Sequence, residues 1–375
     1  MDRIGQLLKE SFSFSDGART GVFIDEAFIK HDRLGHPESA SRLTAIANET
    51  DPRLPKLPVK LMSFKFADFR SESVWIDSLS CVHDSDYLKA LVHRLDAPDY
   101  VSESRWSPYG GPSAKEALFK AAVGASDLAL AIARGNLKNG FAVVRPPGHH
   151  AGRASSEGYC ALNNIAVSAK RVHETTGRPV AIVDLDVHHG NGTESIFLES
   201  SDVATISIHQ DDWPYTGDDK QTGQGAGRGF NFNLSLPRGS SGESWLKAFD
   251  KFVVPAIERL QPFMMFVAMG YDTHWRDPQG SMSLSSSDQL ALTSRARKLS
   301  DRICNGRLMF TLEGGYDRRA TAAGIKNTLA DLAGEQDQIL LDPYGVLKSR
   351  NRDETQRLAE RADEALLRST KIHQF

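Results

Sequence analysis

VAIVDLDVHHGNGT, residues 180–193, joins a short apolar run to a dense group of polar side chains. The run VAIV lacks polar alternation, which is typical of a strand whose two faces are both buried in a parallel sheet. Asp186 and His188 are two positions apart, so in an extended segment they point to the same side, as two ligands of one metal ion must. By itself the stretch indicates no more than a candidate metal site at the end of a buried strand.

Similar apolar runs recur along the chain, and helical patterns lie among them. The runs are FAVV at 141–144, VATISI at 203–208, MMFVAM at 264–269 and RLMFTL at 307–312. The helical patterns fall at 113–135, about 162–176, 243–260 and 286–303. Alternating buried strands and helices predict an α/β protein with three αβα layers around a mostly parallel central sheet.

The chain shows no internal repeat and no low-complexity linker, so we expect one domain over residues 1–375. Residues 340–375 form a helical extension of it in this prediction. Their pattern at 351–370 is charged, with Leu358, Ala362, Ala365 and Leu366 on one side. A surface helix is the first interpretation of this face, and a contact in a homo-oligomer is the alternative.

The composition is that of an ordinary soluble globular protein, with 40% hydrophobic and 25% charged residues. A net charge of −3 offers no basic surface, so we expect no direct nucleic-acid partner. The three cysteines are far apart and form no CxxC pair, which suits a reducing compartment. The N-terminus lacks a secretory signal, and no apolar run approaches the roughly 20 residues that span a bilayer. We therefore expect a cytoplasmic enzyme without a membrane partner.

Polar motifs directly follow four of the predicted strands. They are RPPGHH at 145–150, DLDVHHGNG at 184–192, GYDTHWRDPQG at 270–280 and EGGYD at 313–317. Ligands of open α/β sheets bind beyond the carboxyl ends of the strands, so the four motifs predict one active site. Asp186, His188 and Asp272 would supply three protein ligands and leave a fourth position of a catalytic metal for water. Zinc fits best, although Fe²⁺, Co²⁺ or Mn²⁺ would also suit oxygen-rich ligation.

Two prolines and a glycine precede His149 and His150 and fix a rigid turn that aims both rings. Beside a metal, such a pair predicts a general base and an electrostatic partner for the metal-bound water. Asp184 could orient one ring and Asn191 the other, and the histidine held by the neutral amide should be the less basic. Tyr316 follows two glycines, and its hydroxyl could stabilise the oxyanion that forms when water attacks a carbonyl.

The motifs, in this order, resemble the zinc-dependent histone deacetylase superfamily. RPPGHHAG, GYCALNN (158–164), DLDVHHGNGTE, GYDTHWRDPQGSMSL and LEGGYD carry the likeness, and HPESASRL (36–43) and VHDSDYLKAL (82–91) resemble its N-terminal segments. The likeness covers roughly residues 20–335. It is nearest to the class II and bacterial branch, which includes histone deacetylase-like and acetylpolyamine amidohydrolases. The resemblance implies the arginase/deacetylase fold and the hydrolysis of an N-acyl amide to an amine and a carboxylate.

The resemblance also implies a role for each polar residue of these motifs. The matching positions are Asp186, His188 and Asp272 for the zinc ligands, His150 for the general base and acid, His149 with Asp184 for the electrostatic partner, Asn191 for the class II partner of the base, and Tyr316 for the carbonyl-polarising phenol. A structural potassium ion beside the zinc is implied as well. Its matching positions, partly through main-chain oxygens, are Asp184, Asp186, His188, Ser207 and Ile208.

The family's substrate tunnel is walled by two aromatic residues that grip the methylenes of acyl-lysine. Tyr159 and, by a gapped match, Trp213 take these places, although Trp213 could instead pack within its loop. Gln279 stands at a rim position where lysine deacetylases tend to carry Leu and the polyamine-preferring member carries Glu, so it does not decide the substrate. Gly158 and Gly314 complete the predicted tunnel.

Four carboxylates lie in the loop that follows His209, which should skirt the mouth of the tunnel. They are Asp211, Asp212, Asp218 and Asp219. A cluster at the mouth would favour cationic substrates, namely polyamines or Lys-rich peptides. A solvated loop with no such role is the alternative.

From these features we expect a metal-dependent amidohydrolase that removes acetyl or a related short acyl group from acyl-lysine in peptides or proteins. An acetylated polyamine is the alternative substrate. An arginase-like ureohydrolase with two manganese ions is disfavoured, because the paired histidines and the GGY tyrosine would have no role in it. A non-catalytic binder of acylated ligands is the remote alternative.

Overall fold

The computed structural model of the chain describes residues 12–15, 17–33, 35–48, 56–62, 71–96, 110, 112–345, 347 and 352–375. These residues form nine strands. They are β1 (Phe12–Phe14), β2 (Thr20–Phe23), β3 (Leu57–Met62), β4 (Asn139–Ala142), β5 (Val180–Asp184), β6 (Val203–Gln210), β7 (Asn231–Leu236), β8 (Met265–Met269) and β9 (Leu308–Leu312). One sheet contains all nine, in the order β1-β3-β2-β4-β9-β8-β5-β6-β7.

Helices connect the strands. They are α1 (Ala27–Lys30), α2 (Ser41–Asn48), α3 (Glu72–Leu79), α4 (Ser85–Asp96), α5 (Pro112–Ala133), α6 (Asn164–Thr176), α7 (Asn191–Phe197), α8 (Gly242–Ala248), α9 (Val254–Leu260), α10 (Ser286–Ile303), α11 (Arg318–Ala333) and α12 (Arg352–His373), with short 3₁₀ turns at Gly225–Gly227 and Gln336–Gln338. A π-helical segment, Phe249–Val253, joins α8 to α9. The predicted helix over 243–260 is therefore interrupted. Pro255 lies just after the interruption, and it has no N–H to donate to an α-helical hydrogen bond.

The central strands are buried along their whole length. Every residue of β4, β5, β6, β8 and β9 is buried. Because successive side chains of a strand point to opposite faces, both faces of these strands are covered. All pairings between adjacent strands are parallel. The predicted α/β architecture with a mostly parallel sheet between helical layers is confirmed.

Several elements were missing from the sequence-based prediction, and β7 shows why. Its sequence NFNLSL alternates polar and apolar residues, although five of its six residues are buried. The two asparagines satisfy their amides inside the protein, since Nδ2 of Asn231 and Nδ2 of Asn233 both donate to Oε2 of Glu194, at 2.8 and 2.6 Å. A strand that buries hydrogen-bonded polar side chains does not show an apolar run.

The C-terminal helix α12 packs against the body of the same chain, at β7 and the π-helical segment. Ala362, Ala365 and Leu366 of its apolar face are buried there. Lys247 forms an ion pair with Asp363 at 2.7 Å on the outside of this contact. The face predicted for the helix therefore exists, and three of its four residues pack within the chain, while Leu358 is half-buried.

The expectations about a membrane span and a secretory signal can be compared only with the part of the chain that the structure describes. Among the described residues, no helix combines the length and the apolar character that a membrane crossing requires. The expectation that the N-terminus carries no secretory signal falls on residues 1–11, which lie outside the described residues.

Candidate active site

The four polar motifs meet at one end of the sheet. They follow β4, β9, β8 and β5, which are four consecutive neighbours in the strand order. Since all four strands run in the same direction, their carboxyl ends form one edge, and the motifs converge there as the sequence predicts.

Asp186, His188 and Asp272 form the centre of this cluster. One candidate ligand atom from each lies within 4.8 Å of the others. Nδ1 of His188 is 3.2 Å from Oδ1 of Asp186 and 3.5 Å from Oδ2 of Asp272. Both carboxylates are fully buried. Burial opposes a charge on His188, but its interactions with the two carboxylates outweigh it and raise the pKa of the imidazole to about 10. The site thus attracts positive charge strongly.

The residues around this centre fit a bound cation. Oδ2 of Asp272 is buried and has no hydrogen-bond partner in the described part of the chain. Gly270 and Gly314 leave room in front of the carboxylates, because a Cβ at Gly270 would come within 2.1 Å of Oδ2 of Asp186 and one at Gly314 within 1.9 Å of Oδ2 of Asp272. Two carboxylates and an imidazole are a ligand set for zinc and for several other divalent metals.

His149 and His150 stand beside the metal-ligand candidates with their ring centroids 3.9 Å apart. Nδ1 of His149 bonds Oδ2 of Asp184 at 3.0 Å, and its Nε2 lies 3.8 Å from Oδ1 of Asp186. Burial disfavours the charged imidazole, but Asp184 and Asp186 overcome it and raise the pKa of His149 to about 10. The surroundings of His149 therefore favour the charged, doubly protonated ring.

His150 has the opposite electrostatic character. Its Nδ1 bonds Oδ1 of Asn191 at 2.7 Å. Burial, reinforced by the positive charges of His149 and His188, holds the pKa of His150 well below its usual value. The pair therefore combines one charged and one neutral ring, which is the asymmetry predicted from a carboxylate partner and an amide partner.

Tyr316 is held at the cavity by two buried charged residues. Oδ2 of Asp277 accepts the backbone N–H of Tyr316 at 2.6 Å and that of Asp317 at 2.8 Å. Nε of Arg42 donates to the carbonyl of Gly315 at 2.6 Å, and the guanidinium lies 4.9 Å from the centre of the Tyr316 ring. The glycine-rich segment is thus pinned on both sides, which fixes the position of the phenol.

Arg42 belongs to a buried charge cluster behind the site. Both carboxylate oxygens of Glu38 accept hydrogen bonds from Arg145, at 2.5 and 2.8 Å, and Oε1 lies 3.3 Å from Nη1 of Arg42. Burial opposes ionisation of Glu38, but the two arginines outweigh it and lower its pKa to about 2. The cluster connects the segment HPESASRL to the motifs after β4 and β9.

We expect Glu38→Gln to lower the free energy of unfolding by about 3–5 kcal/mol at pH 7, because it leaves two buried guanidinium groups without their counter-charge. The carboxyl is ionised in the folded protein down to about pH 2 but in the unfolded chain only above about 4.5. Its contribution is therefore complete above pH 4.5 and is lost as the pH falls toward 2. Urea unfolding at pH 7 and pH 3 measures both values.

The matched control for this prediction is Glu199→Gln, which changes an exposed glutamate and should shift stability by less than about 0.5 kcal/mol. Equal unfolding free energies for Glu38→Gln and the parent at pH 7 would contradict the prediction. So would a difference that does not shrink at pH 3.

Glu313 binds the backbone of the segment that carries His149 and His150. Its Oε2 accepts the backbone N–H of Gly148 at 2.7 Å and that of His149 at 3.1 Å. Burial raises its pKa to about 7, even though the charge of His149 and both hydrogen bonds favour the ionised form. The residue fixes the turn that carries the two imidazoles.

A cavity of about 460 Å³ leads from the surface to this cluster. Its lining includes His150, His188, Tyr316 and the predicted tunnel residues Gly158, Tyr159, Trp213 and Gln279. Trp213 packs edge-on against the rings of His150 and His188, with centroids 4.7 and 5.4 Å away, so it covers the site and is not simply packed in its loop. Tyr159 meets the ring of Tyr316 at 5.7 Å.

The loop that follows His209 carries the four carboxylates and is called the acidic loop below. It lies mostly outside this cavity. Of its four carboxylates, Asp212 alone is among the residues that line the tunnel cavity, and it forms an ion pair with Arg238 at 2.8 Å. All four line a separate cavity of about 600 Å³ between the loop and α12, where Asp219 pairs with Arg368. The expectation that the whole cluster surrounds the mouth is therefore wrong, because the loop folds toward the C-terminal helix.

The positions matched to potassium lie at and just beyond the end of β5 and in the second half of the neighbouring strand β6. The strand register pairs Asp184 with Ser207. Both residues line a cavity of about 10 Å³. His189, for which the sequence suggests no role, connects the metal-ligand segment to the acidic loop: its Nδ1 bonds the hydroxyl of Thr216 at 2.8 Å, and its Nε2 lies 3.4 Å from Glu194.

The sequence analysis assigned no role to the buried charged residues that hold the site segments in place. They are Glu38, Arg42, Arg145, Asp277 and Glu313. All five are charged residues inside or beside the quoted motifs, and all are buried. Such residues could have been found as charged residues within apolar, turn-rich motifs, because a charged side chain is buried only when it has an opposite charge or hydrogen bonds to pair with.

Comparisons with known proteins agree with this geometry. The family model described as "Histone deacetylase domain" matches residues 36–332. The chloroplastic histone deacetylase 14 of Arabidopsis thaliana is 32% identical over 327 residues, which are 84% of this chain and 77% of the relative. The histone deacetylase-like amidohydrolase of Pseudomonas aeruginosa is 37% identical over 246 residues, 64% of this chain and 63% of the relative. The crystal structure of the HDA15 HD domain aligns with a TM-score of 0.78 at 29% identity and covers 95% of this chain and 94% of that one.

Proposed function

The chain belongs to the histone deacetylase family and is a hydrolytic, metal-dependent deacetylase, and we propose that it removes acetyl or a related short acyl group from acyl-lysine in peptides or proteins. One observation carries the proposal. His188, His150 and the phenol of Tyr316 all border one cavity of about 460 Å³ with aromatic walls, and His188 belongs to the group of three metal-ligand candidates. Aromatic walls that lead to polar groups suit an alkyl chain that ends in an amide.

We propose zinc as the metal, held by Asp186, His188 and Asp272. When bound, the ion supplies a Lewis acid that polarises the acyl carbonyl and makes water a stronger nucleophile at neutral pH. His188 would have to give up its proton to bind it, and the attraction of the two carboxylates for positive charge compensates for that loss.

We assign the proton transfers to His150. Its ring is neutral before the reaction, and with Nδ1 bonded to Asn191 its Nε2 is the atom left to take a proton from the attacking water. Water adds to the acyl carbon, and His150 then passes the proton to the amine nitrogen as the C–N bond breaks. The products are a free amine and a carboxylate. The positive charge of His149 opposes retention of the proton on His150 and so favours its release to the leaving amine.

Tyr316 and the tunnel walls complete the proposal. Burial raises the pKa of the phenol well above its ordinary value, so the hydroxyl remains a donor and can stabilise the negative charge that develops on the carbonyl oxygen. Tyr159 and Trp213 would hold the methylenes of the acyl-lysine side chain. Because Trp213 packs on two imidazoles of the site, this loop also shields these groups from bulk solvent.

We further propose that residues 1–375 act as one deacetylase domain in the cytoplasm, with α12 as its extension. The packing of α12 on β7 supports a single unit. A structural potassium ion near Asp184 and Ser207 is part of this proposal, and the strand register that sets these two residues side by side supports it. The net charge of −3 favours acylated peptides over nucleic acid as partners.

Acetylated polyamines are the second candidate substrate, because the carboxylates of Asp212 and Glu157 border the tunnel cavity. Asp212 is already paired with Arg238, and Gln279 adds no charge, so we favour acyl-lysine. We expect kcat/KM for acetyl-lysine peptides to exceed that for N-acetylputrescine by about tenfold or more, which corresponds to about 1.4 kcal/mol of transition-state preference.

Side-by-side assays of acetate release from both substrates test this expectation in one preparation. A higher kcat/KM for N-acetylputrescine would reverse the substrate assignment within the same chemistry. Tight binding of an acylated peptide with no acetate release from any substrate would contradict the enzymatic function itself.

A further inference from the structure

Glu157 is an exposed residue at the rim of the tunnel cavity that the proposed mechanism does not use. Its Oε2 accepts a hydrogen bond from Nδ2 of Asn191 at 2.7 Å. Oδ1 of the same Asn191 bonds Nδ1 of His150, also at 2.7 Å. Three side chains therefore form a continuous hydrogen-bonded path from the surface to the proposed general base.

The backbone of Glu157 is held firmly in place. Its N–H donates to the carbonyl of Cys160 at 3.1 Å, and the N–H of Cys160 donates back to its carbonyl at 2.8 Å. Between them, Gly158 and Tyr159 have φ values of 53° and 70°, as the two central residues of a type I′ turn require. A Cβ at Gly158 would come within 2.3 Å of Cδ2 of His150, so the turn lies directly against that ring.

The hydrogen-bond donors and acceptors of these three side chains allow only one orientation of the Asn191 amide. An ionised carboxylate only accepts hydrogen bonds, whereas an asparagine amide can present either its oxygen or its NH₂. Glu157 therefore requires the NH₂ of Asn191, which leaves Oδ1 toward His150. Because Oδ1 only accepts, Nδ1 of His150 must carry the hydrogen, and Nε2 keeps its lone pair.

We propose that Glu157 is a positioning residue that, through Asn191, fixes the ring orientation and the tautomer of His150. This inference rests on the deacetylase function proposed above. It also accounts for the amide at position 191, since an aspartate there would place its carboxylate against that of Glu157 in a contact of 2.7 Å.

The kinetic test compares three variants on an acetyl-lysine peptide. Glu157→Ala should lower kcat roughly three- to tenfold with little change in KM, as expected for the loss of one exposed hydrogen bond to a positioning group. Glu157→Gln keeps an acceptor oxygen and should stay within about twofold of the parent. Ser155→Ala, an exposed residue of the same loop, is the matched control.

A second pair of variants tests the link to position 191. Asn191→Asp should lower kcat in the parent and recover part of it when combined with Glu157→Gln, because the glutamine removes the repulsion. An unchanged kcat for Glu157→Ala would overturn the inference. A rise in KM shared by Glu157→Ala and Glu157→Gln and abolished by salt would also overturn it, because it would assign Glu157 to the attraction of cationic substrates.

A readout independent of turnover separates this inference from the proposed function. In ¹⁵N-histidine-labelled protein, the signal of His150, identified by its loss in His150→Phe, should report hydrogen at Nδ1 in the parent and in Glu157→Gln. Glu157→Ala should show a mixture of tautomers. The expected tautomers in a protein that hydrolyses no acyl-amine would contradict the function alone. Normal turnover with one tautomer in all variants would contradict the positioning role alone.

Discussion

Tyr316→Phe is expected to lower kcat on acetyl-lysine peptides by about 10²–10³-fold, the usual cost of removing one donor from an oxyanion site. The phenol stays protonated at all working pH values, because burial and the nearby carboxylates of Asp272 and Asp186 raise its pKa. Asp277 and Arg42 hold its backbone, so the phenylalanine ring should occupy the same place and remove only the hydroxyl. The loss should therefore appear in kcat, with little effect on KM.

Steady-state kinetics, thermal unfolding and metal content of the purified variant check this prediction together. The matched control is Tyr215→Phe, because Tyr215 is 82% exposed and does not border the tunnel cavity. A Tyr316→Phe protein with normal folding, normal metal content and activity within threefold of the parent would exclude the phenol from stabilising the oxyanion.

Asp186→Asn is expected to abolish metal binding and to reduce turnover to the background of the assay. The carboxylate is one of the three buried ligand candidates, and an amide brings neither its charge nor its affinity for zinc. The fold should survive, because an amide oxygen can still accept one of the two backbone hydrogen bonds that Asp186 now accepts from His188 at 2.9 Å and Gly314 at 2.8 Å.

Elemental analysis of the parent and the variant gives the direct readout. One transition-metal ion per chain is expected for the parent, and two would favour the ureohydrolase alternative. Asp211→Asn, which changes an exposed carboxylate, should keep both metal and activity. Full metal content in Asp186→Asn would show that the ion is held elsewhere.

Much of the site could be predicted because its chemistry lies at strand ends. Four apolar runs were each followed by a polar motif, and the parallel order of β4, β9, β8 and β5 makes their carboxyl ends neighbours. Asp186 and His188 are neighbours in sequence, and a bend just beyond β5, with the N–H of His188 bonded to Oδ1 of Asp186, brings them together in place of the extended segment that the sequence suggested. Local patterns of this kind are visible in one sequence without any knowledge of the partners.

The supports of the site could not be predicted in the same way. Arg42 reaches the carbonyl of Gly315, and the link of Glu157 to His150 passes through a third residue, so no spacing along the chain reveals either contact. The acidic loop illustrates the opposite error. Its composition suggested a charged rim, but the direction of the loop is decided by packing against α12 and by the pairing of Asp219 with Arg368. Tertiary packing determines where such a segment faces.

The hydrogen bonds behind Tyr316 also have a consequence for the order in which the molecule assembles. Arg42 and Gly315 are 273 residues apart, and the hydroxyl of Thr20 bonds the carbonyl of Leu332 across 312 residues. Contacts of such sequence separation form late, because the chain loses loop entropy before they stabilise it. During synthesis the first 300 residues emerge without the segment that completes the site. Because β9 lies between β4 and β8, the same late segment also joins the two halves of the sheet, and we expect enzymatic competence to arise together with the complete sheet.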